Sequence, residues 1–304
     1  MQLPTIFHVR TGMRQAVSLA AALALPREAG IRVERKWRGW EEAEKLPHAD
    51  AVIVSFGKSG RTWFRVMLSR YFARKYGLKE GSLMEFDEFH RQDARIPVLF
   101  FTHDNYLKDY MGHDRKFDLY GKSRVILLVR DPRDTAVSQY FQWRHRIVPR
   151  KKVINGYPLG ELDVYGFIAG EEAGIPRIIE FMNAWARDLS RFQDLMMVKY
   201  EDLKADTEGQ LARVLRFLGE APSADGIADA ASFASIGNMR RMEQENAGKL
   251  TFNTRLKPAD ASDPSTFKVR RAKVGGWRDY VTEEQAEALD AMVRGRLDPV
   301  FGYR

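Results

Sequence analysis

Cysteine is absent from the 304-residue chain, which excludes disulfides, thiolate-bound metals and cysteine nucleophiles. That absence fits a reducing compartment, so a cytoplasmic location is expected. Long apolar runs are also lacking. The longest, residues 16–26 (AVSLAAALALP), is about half of what a membrane-spanning helix needs. Arg10 and Arg14 precede it as they would in a signal peptide, but Pro26-Arg27-Glu28 follows without a convincing cleavage pattern. The expectation there is an N-terminal helix packed on the domain, with a peripheral membrane contact as the second reading. Glycine (23) and proline (12) are too few for a fibrous or low-complexity chain. No internal repeat, Gly/Ser linker or compositional break marks a domain boundary.

Lysine and arginine (49) outnumber aspartate and glutamate (41), and the formal charge of +8 favours polyanions, acidic membrane surfaces or phosphorylated small molecules. One basic cluster is Arg144, Arg146, Arg150, Lys151 and Lys152; a second is Lys268, Arg270, Arg271, Lys273 and Arg278. Neither lies in a zinc-finger or RNP-like pattern, so no nucleic-acid partner is expected, and the first cluster reads as a solvated face. Oligomeric state has no signature in the sequence.

The remaining composition, 44% hydrophobic and 12% aromatic, supports a sizeable core. Apolar runs rich in branched residues at 51–56, 97–102, 125–129 and 195–200 do not alternate, which predicts strands buried on both faces. Helical periodicity predicts helices over 62–76, closed by Gly77, and over 135–146, 177–192, 208–218 and 283–297. The last opens with a Thr282-x-x-Gln285 capping box. Strands alternating with such helices predict an α/β fold: one three-layer domain over residues 1–304, with a central parallel sheet flanked by helices. Its core covers about 50–300, and residues 1–49 form an extension packed on it. Residues 147–176 and 234–269 show neither period and are expected to be loops that cover a substrate.

The first strand runs into Ser55-Phe-Gly57-Lys58-Ser59-Gly60-Arg61-Thr62-Trp63 and then a helix. A strand, a turn of small residues and a helix N-terminus form a phosphate cradle, to which Lys58 adds a full positive charge. Gly57-Lys58-Ser59 matches the end of a Walker A loop, but that motif needs a glycine at position 52, where Val52 lies inside the strand. The third strand ends in Arg130-Asp131-Pro132-Arg133-Asp134-Thr-Ala-Val-Ser138. Arg130 stands between the apolar run and Asp131, which points to an anion rather than a magnesium ion. Arg130 and Ser138 could grip one phosphate from two sides, the arginine with bidentate bonds.

These segments resemble the nucleotide-binding motifs of sulfotransferases that use 3′-phosphoadenosine 5′-phosphosulfate (PAPS). Lys58 to Trp63 is similar to their 5′-phosphosulfate loop, and Arg130 to Ser138 to their 3′-phosphate motif. Arg270-Arg271-Ala272-Lys273-Val274-Gly275-Gly276-Trp277 is similar to the family's Arg-Lys-Gly-x-x-Gly-x-Trp segment, whose basic pair closes over the nucleotide. Together the matches cover residues 50 to 285.

The resemblance implies a role for each matched position. Lys58 would stabilise the leaving phosphate, and Ser59, Gly60, Arg61 and Thr62 would supply donors to the 5′ side. Arg130, Ser138 and Arg270, with Arg271 nearby, would hold the 3′-phosphate. Trp63 and Phe233 would sandwich the adenine, and Tyr200 would reach its edge. His103, in Phe101-Thr102-His103-Asp104 at the end of the second strand, matches the catalytic histidine, a residue type suited to drawing a proton from an acceptor hydroxyl. Asp104 would orient His103 or act as the base itself. Phe101 stands where the family often has lysine, and Ala272 and Gly276 replace the usual Gly and Asp.

The implied reaction is metal-free, in-line transfer of a sulfuryl group from PAPS to an acceptor hydroxyl, leaving adenosine 3′,5′-bisphosphate. Bacterial-looking Ala and Arg usage and the polar loops favour a carbohydrate or glycoconjugate acceptor over a flat phenol. The alternatives are a P-loop-type nucleotide kinase, against which Val52 and Arg130 speak, and a non-catalytic polyanion-binding module.

Overall fold

Four strands, β1 (Ala51–Ser55), β2 (Leu99–Thr102), β3 (Arg124–Val129) and β4 (Leu195–Lys199), pair in the order β2-β1-β3-β4, every pair parallel. The computed structural model describes residues 25–79, 81–246 and 256–303. The four strands fall on the four apolar runs, and their burial explains why those runs do not alternate. Ala51 and Ile53 of β1, with Ile126 and Leu128 of β3, enter one core. Val52 and Val54, with Val125, Leu127 and Val129, enter the other. Both faces are covered, so each strand position must be apolar; a fully buried Val, Leu or Ile side chain contributes about 1.5–3 kcal/mol.

The first core is roofed by α2 (Arg61–Lys75), α10 (Thr207–Phe217) and α11 (Ala224–Phe233), the second by α5 (Pro132–His145), α8 (Ile175–Ala186) and α13 (Glu283–Arg296). Helix α2 closes as its sequence suggests: Gly77 is left-handed (φ 67°) and Leu78 N–H donates to Ala73 O at 2.8 Å. Helix α5 opens earlier than its periodicity indicates, because Pro132 tolerates the first turn and Asp131 caps it by accepting from Arg133 N–H at 2.8 Å. The capping box of α13 is present with both bonds.

Two expectations differ from the structure, and a third falls mostly outside the described residues. The segment 147–176 holds two short helices, α6 (Pro149–Ile154) and α7 (Val164–Ala169), and the start of α8. The segment 234–269 begins with α12 (Ile236–Glu245), while its residues 247–255 lie outside the described residues. The helix expected over 16–26 lies, but for its last two residues, outside the described residues as well; the described helix is α1 (Arg27–Lys45). It packs on α3 (Leu107–Met111) across Gly39, where a Cβ would stand 2.3 Å from Tyr106 O, so only glycine permits the approach. The two remaining helices are α4 (Lys116–Tyr120) and α9 (Tyr200–Ala205). Among the described residues, no helix is long and apolar enough to cross a membrane.

Candidate active site

Strand register decides where the motifs meet. Val54 lies opposite Thr102, Ser55 opposite Leu128 and Val129 opposite Lys199, so the four strands end nearly level. Residues 56–60, His103, Arg130 and Tyr200 therefore emerge on one edge, where open α/β sheets take ligands. A cavity of about 670 Å³ lies there. It is lined by Lys58, Gly60, Arg61, Thr62, Trp63, His103, Arg130, Ser138, Tyr200, Arg270 and Arg271, which are eleven of the expected positions.

The loop after β1 holds two left-handed residues, Lys58 (φ 73°) and Gly60 (φ 93°). At Gly60 a Cβ would stand 2.6 Å from the Tyr200 ring, so glycine is needed for its φ and for that contact. Lys58 adopts the same region despite its side chain, at a strain of about 1–2 kcal/mol, and lines the cavity. Burial and the positive charges of Arg146, Arg130 and Arg270, opposed by Glu243, push Lys58 down to about 7. Cations crowded in this way call for an anion among them.

Arg130 stitches the three motifs together. Its guanidinium donates to Lys58 O at 3.4 Å and to Lys273 O at 3.3 Å, lies 3.7 Å from Asp134 and stacks 4.2 Å from the Tyr200 ring centroid. Its buried Nε has no hydrogen-bond partner. Asp134 accepts from Gly275 N–H at 2.8 Å and Trp277 N–H at 3.0 Å, which anchors the 270–277 segment to α5. Glu243 does the same for the preceding stretch, accepting from Lys268 N–H at 2.6 Å and Val269 N–H at 3.0 Å. Arg270 packs 3.7 Å from the Phe141 ring centroid and donates to Tyr280 Oη; Arg271 is more exposed and pairs with Asp279 at 2.7 Å. Ser138 faces the cavity from α5, on the stripe that also presents Asp134 and Gln142.

His103 and Asp104 are adjacent but point to different surroundings. The Nδ1 of His103 lies 2.9 Å from Ser55 O. A carbonyl can only accept, so Nδ1 carries the proton and Nε2 keeps its lone pair. Burial and the charges of Arg61, Lys268 and Arg65 hold His103 well below its usual range, against the bond to Ser55. The neutral ring with a free Nε2 is the form a general base requires.

Asp104 is buried and does not line the cavity. It accepts from Lys116 Nζ at 2.5 Å and Tyr120 Oη at 2.8 Å, so both carboxylate oxygens are engaged below the sheet edge. The suggestion that Asp104 is the base meets a carboxylate already committed to a buried ion pair. Ser59 is likewise buried beneath the loop and outside the cavity lining.

Phe233 does not line that cavity. Its ring takes the Arg70 guanidinium at 4.6 Å and lines a second cavity of about 200 Å³ on the far side of α2. Trp63 instead packs edge-on to Tyr200 at 5.6 Å and donates to Ala234 O at 2.9 Å.

The structure adds residues that the motifs do not contain. Arg65, one turn into α2, lies 4.0 Å from the Phe101 ring centroid and lines the cavity, a cation beside the position where the family often has lysine. Helix α1 brings Arg38 and Glu42 to the wall, which Asn105, Tyr106, Asn155 and Tyr157 also line. Spacing is the signal that could have found the first two: Arg38 and Glu42 are four residues apart on one helix face. No group of three or more His, Asp or Glu side chains arranged to hold a metal ion occurs among the described residues.

Residues 48–300 match the sulfotransferase domain family. The chain is 22% identical over 285 residues to cytosolic sulfotransferase 5 of Arabidopsis thaliana, covering 85% of this chain and 82% of that one. It is 26% identical over 176 residues to sulfotransferase 2A1 of Rattus norvegicus, covering 58% and 57%. Among solved structures, mouse sulfotransferase SULT7A1 complexed with PAP superposes with a TM-score of 0.54 at 19% identity, covering 83% of this chain and 89% of that one. Retinol dehydratase, in complex with androsterone and the inactive cofactor PAP, gives 0.53 at 17%, covering 85% and 84%. At these identities the likeness is one of fold.

Proposed function

The chain belongs to the sulfotransferase domain family, and from that premise we propose that its cavity transfers a sulfuryl group from PAPS to an acceptor hydroxyl, most suitably on a carbohydrate or glycoconjugate. One observation carries the reading: Lys58, Arg130 and Arg270 converge at the sheet edge beside a neutral His103 whose Nε2 is unengaged. The residues fit a phosphorylated donor, since the cavity gathers cations and the buried Nε of Arg130 lacks an acceptor. Solved structures with this fold hold PAP, the desulfated form of that donor.

In this reading each residue has a role. Arg130, Ser138 and Arg270 hold the 3′-phosphate, while Arg61, Thr62 and the loop's N–H groups hold the 5′ side. His103 Nε2 takes the acceptor proton as the acceptor oxygen bonds to sulfur and the bond from sulfur to the bridging phosphate oxygen breaks. Lys58 and the N–H groups at the start of α2 stabilise the negative charge left on that phosphate. Fixed donors of this kind contribute most of the rate in such sites. No step uses a metal or a covalent enzyme intermediate. A cytoplasmic site of action belongs to this reading and is supported by the cysteine-free sequence.

In favour of a sugar, Arg38, Glu42, Asn105, Tyr106, Asn155 and Tyr157 set polar groups beside the apolar Phe56, Phe101 and Ile147 of the same cavity. Incubation with labelled PAPS and a panel of glycans, lipids and phenols tests the reading. Label is expected on glycans; label confined to phenols would overturn the acceptor assignment, and a protein that instead consumed ATP with magnesium would be a kinase.

A further inference from the structure

Three acceptor oxygens on residues of the cavity wall are buried with no hydrogen-bond partner: Oε2 of Glu42 and the Oε1 atoms of Gln139 and Gln142. Folded proteins rarely leave such atoms unsatisfied, so a ligand that donates hydrogen bonds is the natural complement. Phosphate and sulfonate groups cannot serve, because at neutral pH they mainly accept. The hydroxyls of an acceptor entering this cavity carry such donors.

Glu42 is placed to meet it at the reacting end. It arrives on α1 against the end of β2, and its Oε1 accepts from Thr102 Oγ1 at 3.1 Å. Thr102 Oγ1 in turn accepts from Asp104 N–H at 2.9 Å, so its one proton is committed to Oε1, and the Glu42 side chain lines the same cavity as His103 with Oε2 unpartnered. Helix α1 is fixed there: Arg35 donates to Asn105 O and Ile154 O, both at 2.8 Å, and pairs with Asp109 at 2.7 Å. Gln139 reaches in from α5, with its Oε1 beside Gly57 and its Nε2 donating to Tyr157 Oη at 2.5 Å. We infer that Glu42 accepts a hydrogen bond from, or donates one to, a second hydroxyl of the acceptor, next to the hydroxyl that His103 deprotonates, so that the site selects polyhydroxylated acceptors over those with one hydroxyl. The inference rests on the sulfotransferase reading above.

The surroundings of Glu42 suit a neutral partner. Burial, then the Asp104 carboxylate beyond Thr102, raise its carboxyl to about 7, while Thr102, Lys45 of its own helix and Arg61 of α2 act in the other direction. Tyr106 and Tyr120 stand near enough to feel its charge, and Arg38, one turn earlier, is engaged by Glu34 at 2.5 Å. Close to neutrality the carboxyl can both donate and accept, which matches a hydroxyl.

The test compares methyl glucoside and methyl galactoside with naphthol as acceptors for labelled PAPS. Wild-type protein is expected to favour the glycosides. Glu42→Leu should lose at least about tenfold more kcat/KM on the glycosides than on naphthol, chiefly through KM, because a site built to bond a hydroxyl then lacks its partner. Glu42→Gln, which still donates and accepts, should restore most glycoside transfer. Equal losses on both acceptor types in both variants would mean a structural or general-base role and overturn the inference. A wild-type protein that sulfates naphthol but no glycoside overturns it while leaving the sulfotransferase reading intact. One that sulfates neither and binds no adenosine 3′,5′-bisphosphate overturns both.

Discussion

The donor half of the cavity and the acceptor half differ in what they offer a ligand and in how the chain assembles them. The donor half is cationic and drawn from three short segments, 57–63, 130–138 and 268–277, each continuous in sequence. The acceptor half mixes carboxyl, amide, phenol and guanidinium groups from α1, the end of β2 and the 147–177 region, residues that meet only because Gly39 lets α1 lie against α3. A fixed ligand such as a bisphosphate nucleotide asks for fixed charges, and local motifs can supply them. An acceptor is read by groups that only the tertiary structure brings together.

Substitutions at the boundary of the two halves should break this comparison most sharply. His103→Ala removes the base from the acceptor side, and kcat should fall by about 10²–10⁴-fold. Affinity for adenosine 3′,5′-bisphosphate, measured by calorimetry, should stay within about twofold of wild type; a parallel loss of nucleotide binding would move His103 into the donor half. Next in size is its neighbour. Asp104→Ala leaves the buried Lys116 and Tyr120 without their shared acceptor, although Lys116 keeps Asp114, and urea unfolding should show about 1–3 kcal/mol lost. Full stability combined with lost turnover would make Asp104 the base instead.

A smaller effect concerns pH and belongs to the donor half alone. Lys58 in the free protein sits at about 7, and a bound anion among the cations raises it. Below 7 the amine already carries its proton. Above 7 binding must take one up, so bisphosphate affinity should fall as pH rises, by up to about tenfold per unit. Calorimetry in buffers of different ionisation enthalpy should detect that proton, and Lys58→Met should abolish both the uptake and the slope.

How much of this was legible follows the same division. The four apolar runs became the four strands, because strands buried on both faces leave a strong and local mark. The helices following β1 and β3 were found with their motifs, and most donor-side positions line the cavity. Ser59 and Phe233 are the exceptions: Ser59 is buried within its loop, and Phe233, expected there only from the family resemblance, ends its helix with its ring against Arg70. The acceptor side was legible only at His103. Glu42 and Arg38 lie on a helix whose polar face reads as ordinary solvated surface until β2 is seen beside it. Arg65 is one of several arginines in an apolar helix, and only the structure shows it lying on Phe101. The fate of Asp104 could not be read either, since its partners Lys116 and Tyr120 lie 12 and 16 residues on.

The central claim is that this edge of the sheet is built for a nucleotide carrying both a 5′- and a 3′-phosphate. Titrating adenosine 3′,5′-bisphosphate and AMP into the wild-type protein and Arg130→Ala, in metal-free buffer, tests it most directly. A charge-assisted bond to phosphate contributes about 1.5–3 kcal/mol, so the bisphosphate should bind wild type at least about tenfold tighter than AMP. Arg130→Ala should weaken the bisphosphate by roughly 10- to 150-fold and AMP far less. Equal affinities for the two nucleotides, or equal losses on substitution, would contradict the account.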